Sequence, residues 1–242
     1  MRICAAQVSP VIGKFSGNLA RQADLACLAA GNGAQVVFFP ELSLTGYAPE
    51  LAGELAIDPG DPRLAALQAA SDSGRIAIGV GAPVRSELGV HIGMVLFRPN
   101  QSRMTYLKKY LYPTEEANFV PGESFTNMEI DQANIGLAVC YELSVPAHAR
   151  TAAENGAEIY AASSAKTAAG ARQAHQRLTA IARDYRMVAL LANCTGQHAG
   201  TAFAGRSAVW NERGELVGGL EGEGEGLLVF DTQTLEVIEI GL

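Results

Sequence analysis

The chain has 242 residues, 48% of them hydrophobic and 18% charged, and a net charge of −7. That length supports one large buried core, and α/β folds of this size form single domains, so residues 1–242 are read as one domain. Acids and bases are interspersed with no extended Lys/Arg run, which excludes nucleic acid and anionic membrane as expected partners, and no apolar run reaches membrane-spanning length.

Arg2 to Val8 alternates like a strand and contains no signal-peptide apolar core. A helix is expected from about Phe15 to Ala30, where Leu19, Ala23, Ala26, Cys27 and Ala30 recur at helical spacing, and Gly31-Asn32-Gly33 ends it. Ala34 to Pro40 is a short continuous apolar run, the type buried on both faces, and it leads into Glu41. A loop from Leu42 to Gly60 carries Thr45-Gly46-Tyr47. Asp61-Pro62 is a good cap and first-turn pair for a helix ending near Ser73-Gly74. Arg75 to Ala82 is the next strand. Val90 to Arg98 and Arg103 to Lys108 flank the polar turn Pro99-Asn100-Gln101-Ser102 and read as a hairpin. Lys109 to Gly122 is irregular.

In the second half, Asn134 to Cys140 is a buried strand, and Pro146 opens a helix that Asn155-Gly156 closes. Ala157 to Ser163 is a strand, Gly170 to Arg186 a long helix and Met187 to Asn193 a strand. The tail from Gly205 to Asp231 reads as a hairpin meander with turns at Asn211 to Gly214 and Glu221 to Gly226; the glycine–glutamate alternation of the second turn reads as a solvated loop. Two β-α-β-α-β halves joined by a hairpin and a connector predict a layered α/β fold.

The cysteines Cys4, Cys27, Cys140 and Cys194 are far apart, with no C-x-x-C pair. A disulfide framework and a zinc site are not expected, and a reducing cytoplasm fits. The histidines His91, His148, His175 and His198 never pair at metal-ligand spacing, so no metal is expected.

Three chemically distinct residues share one kind of position. Glu41 follows a buried strand, Lys108 ends a hairpin strand and Cys140 ends another buried strand. In α/β sheets, side chains from different elements converge at strand ends. A thiol needs a base at neutral pH, and a carboxylate in an apolar cleft can serve as one. A lysine beside them favours the thiolate and can stabilise an oxyanion, and the backbone N–H of Tyr141, just after the thiol, is a second donor. Each residue alone has a plainer reading: Cys140 as core filler, Glu41 as a helix-start carboxylate, Lys108 as one of two surface lysines with Lys109. Their joint occurrence raises the odds of a site.

The motifs that carry these residues resemble the nitrilase superfamily of carbon–nitrogen hydrolases. The matching stretches are Phe39-Pro40-Glu41 with Thr45-Gly46-Tyr47, Tyr106-x-Lys108-x-x-Leu111, and Gly136-x-x-x-Cys140-Tyr141-Glu142 with Pro146 and Arg150. Gly156-Ala157-Glu158, Asn193, Gly196, Gly205-x-Ser207 and Gly214 extend the likeness over nearly the whole chain. The resemblance implies a four-layer α-β-β-α sandwich, a Glu41–Lys108–Cys140 triad, and a homodimer or higher homo-oligomer. It also implies a supporting glutamate in a Glu-x-x-x-Phe-x-x-Gly context, here Glu115 before Phe119 and Gly122, rather than Glu116. Tyr-x-Lys-x-x-Leu selects Lys108 over Lys109. The expected activity is hydrolysis of a small amide or N-carbamoyl compound through a Cys140 thioester, with water as co-substrate and no cofactor. Tyr47 and Tyr141 are the expected pocket residues.

This chain departs from the family at Ala147, where a glutamate is common, at Ile181 to Tyr185, where Arg-Ala-x-Glu-Asn is common, and at Lys166, where a bulky aromatic is common. Three rival readings remain. Ser163-Ser164-Ala165-Lys166 contains Ser-x-x-Lys, the spacing of helical Ser–Lys hydrolases, though its companion motifs are absent; a Ser163 side chain lining the pocket is the more modest version. A nitrile substrate is disfavoured by Cys-Tyr-Glu where nitrilases usually carry Cys-Trp-Glu. A catalytically silent binding protein is disfavoured by the intact triad.

Overall fold

The structure of the protein is a computed structural model that describes residues 1–123, 127–198, 200–222 and 224–242. The chain opens with β1 (Arg2–Gln7), α1 (Phe15–Gly31), β2 (Val36–Phe38), α2 (Ala52–Leu55), α3 (Ala65–Gly74), β3 (Ala77–Ser86), β4 (Gly89–Phe97) and β5 (Met104–Leu107). It continues with β6 (Asn127–Ile130), β7 (Ala133–Val139), α4 (Pro146–Glu154), β8 (Ile159–Ser164), α5 (Ala168–Tyr185) and β9 (Val188–Asn193). After the small hairpin of β10 (Thr195–His198) and β11 (Thr201–Ala204) come β12 (Ala208–Trp210), β13 (Leu216–Gly219), β14 (Gly226–Asp231) and β15 (Val237–Gly241).

Side-chain alternation along the strands builds the layers. One sheet runs β15-β14-β1-β2-β3-β4-β5 and the other β13-β12-β9-β8-β7-β6. In the first, Ile3, Ala5, Val36 and Phe38 face inward, while Cys4, Ala6, Val37 and Phe39 face α1 and α3. In the second, Leu137, Val139, Ile159 and Leu190 join the same inner core, while Ala138, Tyr160 and Leu191 pack with Ala149, Ala174 and Leu178 of α4 and α5. The inner cluster draws on both sheets, so the layers are helix, sheet, sheet, helix, as expected. Among the described residues no helix is long and apolar enough to cross a membrane.

The predicted β4–β5 hairpin is present, with Gly93 opposite Leu107 and Leu96 opposite Met104. Asp61 caps its turn as expected, accepting from the Arg63 backbone at 2.8 Å. The tail differs from the predicted meander. β12 and β13 pair around the turn at Asn211, but β14 crosses to the other sheet and lies antiparallel beside β1. The reason is burial: Leu228 and Phe230 face the inner core and Leu227 and Val229 the outer one, so β14 needs cover on both faces. The segment from Glu221 to Gly226 is therefore an inter-sheet crossing, with Glu223 outside the described residues. Gln7 ties it down, donating to Gly224 O at 2.7 Å and accepting from Ser207 N at 2.9 Å.

Candidate active site

Glu41, Lys108 and Cys140 each leave a strand and arrive at one place. Lys108 immediately follows β5, and its Nζ is fully buried, 2.7 Å from Glu41 Oε1 and 2.9 and 2.8 Å from the two oxygens of Glu115. Glu115 is further held by Tyr47 Oη at 3.0 Å and the Tyr112 backbone N–H at 2.8 Å. Neighbouring Lys109 and Glu116 are excluded from the cluster: Lys109 is half-buried with no ion pair among the described residues, and Glu116 is exposed. A buried lysine needs anionic partners, and two carboxylates supply them.

Two glycines make this approach of loops and strands possible. A Cβ on Gly81 of β3 would sit 2.3 Å from Leu42 N and 2.5 Å from Pro40 O, so the Glu41 turn lies directly on that strand. A Cβ on Gly122 would sit 2.3 Å from Leu107 O; its N–H instead donates to Lys108 O at 2.8 Å. Leu42, next to Glu41, has φ +52°.

Cys140 begins a short 3-10 turn, Cys140–Ser144, straight after β7, with φ +47°. That left-handed conformation costs a non-glycine residue on the order of 1–3 kcal/mol and marks a strained elbow. Burial and the nearby Glu41 carboxylate raise the thiol pKa, while Lys166 and Lys108 oppose the rise. Burial also raises the Glu41 pKa; Lys108 lowers it and Glu115 raises it. Among the described residues Glu41 Oε2 has no hydrogen-bond partner, and the Cys140 thiol, like Lys108, acts on this carboxylate to lower its pKa. Burial works to lower the Lys108 pKa, but Glu41, Cys140 and Glu115 together hold it above the ordinary lysine value. The ensemble is a neutral thiol, a carboxylate of raised basicity and a fixed cation, an arrangement suited to transferring the thiol proton as sulfur attacks an electrophile.

A cavity of about 770 Å³ opens onto this cluster, and Tyr47, Glu115, Cys140 and Tyr141 all line it. Ser163 does not: its Oγ is buried without a partner in β8, and no bond joins it to Lys166. The suggested Ser–Lys arrangement is therefore not formed: Ser163 is buried within β8, while Lys166 lies past the strand end. A second cavity, of about 560 Å³ beside His175, Arg206 and Leu216, contains none of the clustered residues. Among the described residues no three His, Cys, Asp or Glu side chains converge as metal ligands.

Sequence reasoning quoted Glu142 in its motif without giving it a role. It is fully buried, and its carboxylate bridges the two site-bearing strands: Oε1 accepts from the Lys109 and Tyr110 N–H groups at 2.7 and 3.3 Å, and Oε2 from Val139 N at 2.7 Å. It thereby fixes the chain just after Lys108 to the chain just before Cys140. Tyr106 Oη donates to Oε2 at 2.8 Å and contacts His148 Nε2 at 3.0 Å, and His148 Nδ1 meets Tyr160 Oη at 2.7 Å. Because Tyr106 gives its only proton to Glu142, it must accept from His148 Nε2–H, which leaves Nδ1 to accept from Tyr160. The chain of bonds thus places a proton on Nε2, and burial favours the neutral imidazole. The sequence signal was available in principle, in a glutamate two residues past the thiol, but its partners Tyr106, Lys109 and Tyr110 lie more than 30 residues away.

Burial pushes the Glu142 carboxyl up to about 7 against the donors that pull it down, and it pushes His148 down to about 4. A depressed histidine pKa means the unfolded chain binds the extra proton between pH 4 and 6.5, so this group's contribution is lost as pH falls through that window. The raised Glu142 pKa acts oppositely, its contribution fading as pH rises towards about 7. Comparing wild type with His148→Gln isolates the first effect. Wild-type stability relative to the variant should rise by about 3 kcal/mol from pH 4 to pH 6.5. Denaturant melts across that range would show it; a constant difference would mean that His148 is not held neutral.

A family model described as carbon–nitrogen hydrolase matches residues 2–240. An (R)-stereoselective amidase of Pseudomonas sp is 25% identical over 220 residues, spanning 90% of this chain and 80% of its own. A nitrilase of Pyrococcus abyssi is 25% identical over 223 residues, spanning 90% and 84%. Among solved structures, a variant of the amidase from Nesterenkonia sp. AN1 superposes with TM-score 0.87 at 28% identity, over 96% of this chain and 92% of that one. That structure shows Michael addition of acrylamide at its active-site cysteine. Another variant of the same amidase, in complex with butyramide, matches with TM-score 0.86 at 27% identity over 100% and 90%.

Proposed function

The chain belongs to the carbon–nitrogen hydrolase family, and from that premise we propose that it hydrolyses a small linear amide or N-carbamoyl compound through a thioester on Cys140. At the coarser level it is an amidase-like carbon–nitrogen hydrolase of the nitrilase superfamily. The observation that carries the finer reading is the buried Lys108, held between Glu41 and Glu115, behind a strained Cys140 thiol that lines the cavity and bears on the Glu41 carboxylate.

In this reading Glu41 takes the proton from Cys140 as its sulfur bonds to the carbonyl carbon. The developing oxyanion is met by the Tyr141 N–H and by Lys108. Nζ has three N–H groups; one serves Glu41 and two reach the oxygens of Glu115, so one of the latter pair is free to turn to the oxyanion while Glu115 keeps the other. The C–N bond then breaks, Glu41 returns the proton to the departing nitrogen, and ammonia or an amine leaves. Water, deprotonated by Glu41, attacks the thioester and releases the acid, and the proton returns to the sulfur. Tyr47 positions Glu115, and Tyr47 and Tyr141 wall the substrate. The thiol, base and oxyanion donors complete this cycle with no cofactor. We also propose a single-domain chain, a homodimeric state, as the family likeness implies, and a cytoplasmic location, in keeping with four free cysteines.

Nitrile hydrolysis is the second reading, favoured by the Pyrococcus abyssi likeness. Matched amide and nitrile substrates separate the two. Butyramide should give the higher kcat/KM over butyronitrile by ammonia release; the reverse order would make the protein a nitrilase, and no release from a broad amide and nitrile panel would make it a silent binding member.

A further inference from the structure

The wall of the cavity opposite the acidic cluster is cationic and unpaired. Lys166 follows β8, where its backbone is locked: Asn193 Oδ1 accepts from Lys166 N at 2.8 Å and Asn193 Nδ2 donates to Lys166 O at 3.3 Å. Its ammonium has no hydrogen bond or ion pair among the described residues, though it lines the cavity with Cys140. Arg177 lies on α5 one turn beyond Gln173 and two beyond Gly170, a spacing that sets all three along one face, and all three line the cavity. Arg177 makes no hydrogen bond or ion pair among the described residues; it also borders a smaller neighbouring cavity. A guanidinium left unbonded at a cavity wall is available to an acceptor that enters there.

The start of α5 adds to this. Its 18 residues start at Ala168, just after Thr167 on the cavity wall, and among the described residues no side chain caps its first-turn N–H groups. Helix N-termini carry partial positive charge and unfilled donors, and they favour anions. The acids on the cavity do not neutralise this wall. Glu115 is committed to Lys108, Tyr47 and Tyr112, and Glu50 is exposed at the rim and bonded to neither cation.

We infer that Lys166, Arg177 and the uncapped start of α5 receive a carboxylate carried by the amide substrate. This rests on the proposed amide hydrolysis and narrows it: the preferred substrates are monoamides of short dicarboxylic acids, or N-carbamoyl compounds bearing a carboxylate. Arg177 and Lys166 are specificity-determining residues, with no part in proton transfer.

The test compares malonamate, succinamate and glutaramate with butyramide. The best anionic amide should exceed butyramide in kcat/KM by about 10- to 100-fold, the range of one or two charge-assisted hydrogen bonds. That ratio should collapse towards one in Arg177→Met and in Lys166→Met, and Arg177→Lys should keep part of it. A second readout needs no turnover: the anionic amides should protect Cys140 from iodoacetamide at lower concentration than butyramide does. Equal or weaker protection, or a wild-type preference for butyramide, overturns the anion site. Loss of turnover on every amide together with preferential protection by the anionic ones would instead overturn the proposed reaction and leave the anion site standing.

Discussion

Lys108→Ala should lower kcat/KM by about 100- to 1,000-fold, the loss seen when a principal oxyanion donor is removed. Two effects combine. The oxyanion loses its only cationic partner, and Glu41 and Glu115 are left as two buried carboxylates facing an empty space. One of them must then take up a proton, which would remove either the base or its support. Breaking a buried ion pair from one side also costs about 3–5 kcal/mol of stability, so the melting temperature should fall markedly. Lys108→Met, which keeps the volume, separates folding from chemistry: it should remain folded by circular dichroism and still fail to turn over. Lys109→Ala should be mild in both respects, because its side chain makes no ion pair and the Glu142 bond to this residue uses the backbone N–H. A severe Lys109→Ala and a mild Lys108→Ala would move the oxyanion cation to the wrong residue.

Glu41→Gln is the second large effect. The amide oxygen can still accept from Lys108 at the place of Oε1, so the cluster keeps its shape. A glutamine cannot take a proton from Cys140, whose thiol is still held neutral by burial. Loss of a positioned general base typically costs about 100- to 10,000-fold, and kcat should fall by that amount while KM changes little. A folded Glu41→Gln enzyme with near-normal kcat would remove Glu41 from its role.

Much of this site was legible because its residues sit where local rules are strongest. Buried apolar runs before Glu41 and Cys140 announced strands, and Tyr106-x-Lys108 placed the lysine at a hairpin end. The structure brings Glu41, Lys108 and Cys140 into one cluster, of which Cys140 lines the cavity, and it buries Glu115 while exposing Glu116. The roles of Gly81 and Gly122 were not legible, since close backbone approach depends on what lies across the gap. Glu142, His148 and Tyr160 escaped for the same reason: a buried polar network is defined by partners from separate elements. The tail was misread because β12 to β14 share a local pattern of short apolar runs and turns, and only competition for the open edge beside β1 decides that β14 crosses over. Strand β6 and the β10–β11 hairpin were missed; four residues each leave too little periodicity to read.

The Cys140 thiol is the centre of the account, and intact-protein mass spectrometry during turnover of a slowly hydrolysed amide tests it most directly. The predicted result is a transient mass increase equal to the acyl group, mapped by peptide analysis to Cys140, sensitive to hydroxylamine and absent in Cys140→Ala. Continued turnover by Cys140→Ala, or an acyl group carried on another residue, would contradict it.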